Sequence, residues 1–153
     1  IASQPPDIVE AVLMYLMNEC SIELPEGWND QSINVVSSNS AMAPGLTLTV
    51  TRDNLPFGMS FQEYLDEQVE QVSKSMVDFT MMGRQNVRLD GTPVAEIECS
   101  WLAKDVRMHQ LIYMLPSPDG RAMVITASMP GQMTPGQLAE VRRIVQTLKF
   151  RRT

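Results

Sequence analysis

The chain contains few of the residues that perform most enzyme and metal chemistry. Its 153 residues include one histidine, His109, and two cysteines, Cys20 and Cys99. A soft-metal site needs several such ligands at close spacing, and the two cysteines form no CxxC pair. We therefore expect two reduced, partly buried thiols and no metal centre.

Short catalytic and nucleotide-binding motifs are also missing from the sequence. It contains no GxSxG nucleophile elbow, no GxGxxG dinucleotide fingerprint and no GxxxxGK[ST] phosphate loop. The Asp-Gly pairs at 90–91 and 119–120 are typical of hairpin turns and lack the twelve-residue pattern of a calcium loop. We predict that the protein is not an enzyme and takes no cofactor.

Three polar strand residues are the remaining candidates for chemistry. His109 lies in a predicted strand without a recognisable nucleophile, and we interpret it as a surface or interface histidine. Glu96 and Glu98 share one face of a strand, about 7 Å apart, a separation that a glycosidase pair could use. Two solvated carboxylates are the more common case, and we favour that interpretation.

Basic charge and long apolar runs are scarce as well. The chain has 12 lysines and arginines against 18 aspartates and glutamates, for a net charge of −6. This balance argues against a nucleic-acid-binding surface and against electrostatic docking on anionic lipid. No apolar run approaches the roughly 18 residues of a membrane span, and no basic-then-apolar signal peptide opens the sequence. We expect a cytoplasmic protein without direct membrane insertion.

Alternating polar and apolar residues predict a strand-rich domain with two helices. Ser60 and Glu63 form a capping box before an apolar stripe, so a helix should run from there to about residue 77 or 79. Thr134 begins a second helix, and a short helix is expected at 7–16. Strands are predicted at 19–24, 31–37, 46–51, 86–89, 92–102, 106–115 and 121–129.

The order of these elements predicts an α+β fold, β-β-β-α-β-β-β-β-α. One antiparallel sheet of about six or seven strands with helices packed on it is the simplest arrangement. Residues 1–13 differ from the rest, and we interpret them as an N-terminal extension of uncertain origin. Residues 14–153 should form a single domain.

Apolar residues line several strand faces, more than one helix layer requires. Leu46, Leu48 and Val50 share one face of their strand, and Ile33 and Val35 share another. The next strand presents Met108, Gln110, Ile112 and Met114 on a single face. One apolar sheet face receives the helices, whereas a second would mark an interaction site. The alternative, that all these residues are ordinary core, remains open.

Several segments, taken in order, resemble one bacterial family. They are GWNDQSINV at 27–35, TRD at 51–53, FQEYLDEQ at 61–68, RMHQLIY at 107–113 and LKF at 148–150. Together they make the chain, from Tyr15 to Phe150, similar to the Eag-type chaperones of type VI secretion effectors. That family falls in a group with a PsbP/DcrB-like fold.

The resemblance implies a cytoplasmic homodimer that binds and shields apolar transmembrane helices in the N-terminal region of an effector. It also implies help in loading the effector on the secretion spike. By resemblance, Gln68 and Gln110 occupy positions suited to hydrogen bonding with those helices, and Ile33 and Val35 match apolar groove positions. The expected groove comprises Ile33, Val35, Leu46, Leu48, Val50, Leu65, Gln68, Met108, Gln110 and Ile112.

Two other hypotheses stand beside the chaperone function. A small-ligand-binding or envelope protein of the same fold group is the alternative, and a structural subunit without a client helix is a third possibility.

Overall fold

The structure is a computed structural model that describes residues 12–41 and 43–151. Its internal contacts divide the chain into two units, Ile1–Gln31 and Ser32–Thr153. The extension predicted at 1–13 lies almost wholly outside the described residues, so its boundary with the domain stays a prediction.

The first unit contains an antiparallel hairpin. Strand β1, Val12–Leu16, pairs with β2, Ser21–Pro25, so that Tyr15 lies opposite Ile22. The Tyr15 hydroxyl donates a hydrogen bond of 3.1 Å to Asp30 Oδ1. The described part of the helix predicted at 7–16 is therefore a strand, and that prediction was wrong. A five-residue apolar run is compatible with both the helical and the strand period, and here the pairing with β2 makes it a strand.

The second unit is built on a six-stranded antiparallel sheet. Its spatial order is β3-β4-β8-β7-β6-β5. The strands are β3 Asn34–Ser37, β4 Thr47–Asp53, β5 Thr80–Leu89, β6 Thr92–Ala103, β7 Val106–Pro116 and β8 Ala122–Pro130. This arrangement confirms the predicted α+β class with one main antiparallel sheet. Strand β5 starts six residues before the predicted residue 86, and a register shift between Met81 and Gly83 interrupts its early part.

Two capped helices complete this unit. Helix α1 spans Phe61–Ser75, and the Ser60 side chain accepts a hydrogen bond from the Glu63 N–H. Helix α2 spans Pro135–Gln146 and begins with a reciprocal capping box between Thr134 and Gln137. Both starts were predicted from the cap residues. Helix α1 ends somewhat before the predicted limit.

The helices lie on opposite faces of the sheet, and each has its own core. On the α2 face, Leu111, Tyr113 and Leu115 of β7 cluster with Val141 and Val145 of the helix. On the α1 face, the alternate β7 residues Ile112 and Met114 cluster with Leu65. Successive residues of β7 therefore pack alternately in the two cores, which explains why this strand is apolar almost throughout.

Candidate functional site

Helix α1 packs over only part of the sheet face on which it lies. The buried Leu65 of this helix clusters with Ala95, Ile97 and Cys99 of β6 and with Ile112 and Met114 of β7. On β8 this cluster reaches Val124. Strands β8, β4 and β3 continue the same face beyond that point.

A set of hydroxyl side chains lines this continuation. The register pairs Thr47 with Ser128, Thr49 with Thr126, and Thr51 with Val124, so these side chains share the face of Val124. We call them the hydroxyl strip, which consists of Thr47, Thr49, Thr51, Thr126 and Ser128. Each member is half-buried, so the strip offers both methyl groups and hydroxyls to a partner.

Gln110 borders the hydroxyl strip on the side of β7. It lies opposite Ser128, and its Nε2 donates a 3.2 Å hydrogen bond to Ser128 Oγ. The residue is only 8% exposed, yet its Oε1 has no hydrogen-bond partner among the described residues. An unpaired buried acceptor is unfavourable by about 1–3 kcal/mol.

Gln68 lies on helix α1, one turn after Tyr64. Tyr64, one turn earlier on the helix, donates a 2.9 Å hydrogen bond from its hydroxyl to Asp53 Oδ2 at the end of β4. Residues four apart lie on the same side of a helix, so Gln68 is on the flank of α1 that faces β4. Burial, reinforced by Asp53, raises the pKa of the Tyr64 hydroxyl, which therefore stays a donor.

Apolar residues at the sheet edge extend the strip. Val35 pairs in register with Thr49, so it lies on the strip face and is 58% exposed. Ile33, immediately before β3, is 61% exposed. Val36 is equally open at 62% but pairs with Leu48 and therefore lies on the α2 face.

The structure separates the predicted groove residues into three groups. Val35, Met108 and Gln110 lie on the strip face, with Ile33 just before β3, and Gln68 is on α1 one turn after Tyr64. Leu65 of α1 and Ile112 of β7 are on that side, but both are buried in the core between the helix and the sheet. Leu46, Leu48 and Val50 belong to the core on the α2 face. Alternation correctly grouped these last three, but it could not determine which face of the sheet they occupy.

Glu96 and Glu98 lie on the α2 face, and the interpretation as solvated carboxylates was wrong. Glu96 is 4% exposed. It accepts hydrogen bonds from the Tyr113 hydroxyl at 2.5 Å, from Gln85 Nε2 at 2.7 Å and from Arg142 Nε at 3.3 Å. Burial and the neighbouring carboxylate raise the pKa of Tyr113. This network joins α2 to β5, β6 and β7, so the role of Glu96 is structural. Because β7 is apolar on both faces, the sequence could have indicated that both faces of the sheet are covered and that Glu96 is buried.

His109 is buried in the same region, so its prediction as a surface residue was also wrong. It is 1% exposed, and its Nδ1 accepts a 2.8 Å hydrogen bond from the Met133 N–H. The ring proton therefore resides on Nε2, which donates to Glu98 Oε2 at 2.9 Å. The histidine holds the segment that leads into α2.

Both cysteines are free, and they differ in their surroundings. Cys20 is exposed, so the expectation of partial burial was wrong for it, whereas Cys99 is buried. Burial, together with the charge of Glu98, raises the pKa of the Cys99 thiol to about 11, so it remains protonated at neutral pH. Within the described residues, no group of three or more His, Cys, Asp or Glu could hold a metal ion.

Neither described helix combines the length and apolar character needed to cross a bilayer.

Comparisons with known proteins agree with this architecture. The family model DcrB matches residues 19–147. The curated protein Effector EagT6 of Pseudomonas aeruginosa is 25% identical over 101 residues, which cover 64% of this chain and 70% of the relative. These two matches confirm the resemblance drawn from the sequence.

Solved structures support the fold alone. The crystal structure of PA94, a protein of unknown function from Pseudomonas aeruginosa, aligns with a TM-score of 0.74 at 22% identity. That alignment covers 93% of this chain and 99% of PA94. LpqN, involved in cell envelope biogenesis of Mycobacterium tuberculosis, aligns with a TM-score of 0.52 at 13% identity. This second alignment covers 80% of this chain and 85% of LpqN.

Proposed function

The chain belongs to the DcrB family, and from this premise we propose that it is a cytoplasmic chaperone for a type VI secretion effector. In this proposal it binds apolar transmembrane helices in the N-terminal region of the effector. It shields them from water and from the producing cell's membrane and assists loading on the secretion spike. The similarity to Effector EagT6 supports the choice of client.

The observation that carries the proposal is the continuation of the sheet face beyond α1. It combines a half-buried hydroxyl strip, an unpaired amide oxygen on Gln110, and exposed apolar side chains at Ile33 and Val35. A surface that serves only as core would bury the apolar groups and pair the polar ones. This surface instead has the composition of a site that receives an amphipathic partner.

The chemistry of the surface suits a membrane-spanning helix. Such a helix carries about 20 apolar residues, whose transfer from water to an apolar environment is favourable by about 25 cal/mol per Å². Threonine γ-methyl groups and the edge residue Val35 provide apolar contact. Hydroxyls and Gln110 pair with any polar groups that the helix brings, which would otherwise be desolvated without partners.

A homodimer is part of the proposal, because a single face contacts one side of a helix. Two copies of the strip, related by a twofold axis, would present the same surface to the client from two directions. We expect purified protein to behave as a dimer in light scattering at micromolar concentration.

Val35 and Val36 provide a matched test of the surface. Val35→Asp should weaken client binding about 100-fold, because docking of an apolar helix would bury an unpaired carboxylate. Val36→Asp, equally exposed but on the other face, should bind as the unchanged protein does. The measurement is co-purification with an effector fragment containing its apolar helices.

Thermal melting of both variants is the control. Both side chains are exposed, so both variants should melt close to the unchanged protein. Client retention by Val35→Asp with normal melting would contradict the proposed surface.

A further inference from the structure

A small pocket lies on the α2 face, at the end of the sheet where β4 ends and β8 begins. We call it the arginine pocket, and its main side chains are Arg52, Asp119, Arg121, Met123, Phe150 and Arg151. Arg52 pairs in register with Met123 and shares the strand face of Leu48 and Val50, which pack in the α2 core. The pocket is therefore on the side of the sheet opposite the hydroxyl strip.

The arginine pocket is positively charged in a chain that is acidic overall. Three arginines line it against one aspartate, an excess of two positive charges, whereas the whole chain has a net charge of −6. Asp119 is already engaged, because Arg121 Nε donates a 2.9 Å hydrogen bond to its Oδ2. A cleft lined by one sign of charge concentrates ligands of the other sign, so this pocket favours an anion.

Two of the three arginines have no acidic partner among the described residues. They are Arg52 and Arg151. Arg52 is half-buried, and its Nη1 donates a 3.2 Å hydrogen bond to the neutral carbonyl oxygen of Ser32. A guanidinium group forms shorter and stronger hydrogen bonds with a carboxylate, which can accept two of them in parallel. The two arginines therefore have donors to offer to a carboxylate.

Apolar side chains give the pocket a second preference. Met123 and Phe150 are half-buried, pack against the α2 core and also line the pocket. An apolar group that enters beside the anion would be removed from water there. The cavity measures about 260 Å³, less than the roughly 300–1,000 Å³ of pockets that enclose a small-molecule ligand. A space of this size suits one or two side chains of a larger molecule.

We propose that the arginine pocket binds an acidic peptide segment of a second protein partner, in which a carboxylate side chain stands near an apolar one. The carboxylate accepts hydrogen bonds from Arg52 and Arg151, and the apolar side chain packs on Met123 and Phe150. Because the pocket and the hydroxyl strip occupy opposite faces of the sheet, this partner can bind while the strip holds a client. The inference does not depend on the proposed function, since none of these residues belongs to the strip.

Three short peptides with capped ends test the chemistry of the pocket. The first has the core Asp-Leu-Glu-Phe, the second replaces both acids by their amides, and the third replaces both apolar residues by serine. Calorimetric titration should give an affinity for the first peptide that is about tenfold or more above that for the other two. The affinity for the first peptide should also fall as the salt concentration rises.

Variants of the chain test the location. Arg52→Gln and Arg151→Gln should each bind the first peptide about tenfold more weakly. Arg143→Gln removes the same charge from an exposed position that does not line the pocket, and it should change the affinity less than about twofold. Arg151 is exposed, so its variant should melt as the unchanged protein does even if Arg52→Gln lowers stability. Val35→Asp, on the proposed client surface, should bind the peptide normally.

Each other outcome would overturn the inference. Equal weakening by Arg151→Gln and Arg143→Gln would mean that only the overall charge attracts the peptide. Equal binding of the acidic peptide and its amide counterpart would remove the role of the carboxylate. Phenylacetate that binds as tightly as the first peptide would make the pocket a site for a small carboxylate and not for a protein partner. All of these results would leave the proposed client surface standing.

Discussion

At the scale of single residues, the charged interior and the proposed client surface occupy different faces of the sheet. Glu96, Glu98 and His109 are on the α2 face, where Arg142 and backbone groups pair with them. Around the hydroxyl strip, the α1 face has hydroxyls and an amide in their place. A buried charge that is already paired within the protein adds little to the affinity for an apolar ligand. Neutral hydroxyl and amide groups that can still form hydrogen bonds are better suited to bind such a ligand.

Stability should fall at alkaline pH because of buried groups that resist deprotonation. The folded state raises the pKa of Cys99 to about 11, above its ordinary value of 9.0, and it also raises the pKa of Tyr64 and Tyr113. Between pH 9 and 11 the unfolded chain releases the thiol proton while the folded chain keeps it, so unfolding becomes more favourable as pH rises. For the thiol alone the slope approaches about 1.4 kcal/mol per pH unit.

Denaturant melts of the unchanged protein and of Cys99→Ala at pH 8, 9, 10 and 11 measure this slope. The alanine variant should lose less stability across the range, although it starts lower because a buried side chain is truncated. Parallel curves for the two proteins would contradict the assignment of this pH dependence to Cys99.

At the scale of elements, the sequence predicted those whose ends carry a chemical signal. The capping residues Ser60 and Thr134 located both helix starts, and the Asp-Gly turns located two of the three hairpins that connect β5, β6, β7 and β8. Strand β1 and the start of β5 were missed, since neither has a cap or a turn of that kind. The sequence grouped Leu46, Leu48 and Val50 on one face of β4 without determining which side of the sheet that face occupies, because only tertiary packing distinguishes one side from the other.

The capping box of α2 should contribute measurably to stability. Thr134→Ala removes the hydroxyl that accepts from the Gln137 N–H at 3.1 Å, so the free energy of unfolding should fall by about 1 kcal/mol. Ser73→Ala on the exposed side of α1 is the control and should change it by less than about 0.5 kcal/mol. Equal effects of the two changes in urea titrations would show that the cap is not responsible.

At the scale of the whole molecule, the two edges of the main sheet are managed differently. Edge strand β5 carries a register shift and the charged residues Arg84 and Arg88, which discourage pairing with another strand. Edge strand β3 is short and has no charge, and Val35 and Val36 are open to solvent. At this edge Val35 lies next to the hydroxyl strip, where the client is proposed to bind.

The central claim is that the client lies against the hydroxyl strip, and site-specific photocrosslinking tests it most directly. Benzoylphenylalanine placed at Val35 or at Val36 differs only in the face from which it projects, because the two side chains alternate along β3. In cells that co-express an effector, the account predicts crosslinks from position 35 to the apolar N-terminal segment and none from position 36. Crosslinking from position 36 alone, or equally from both, would contradict it.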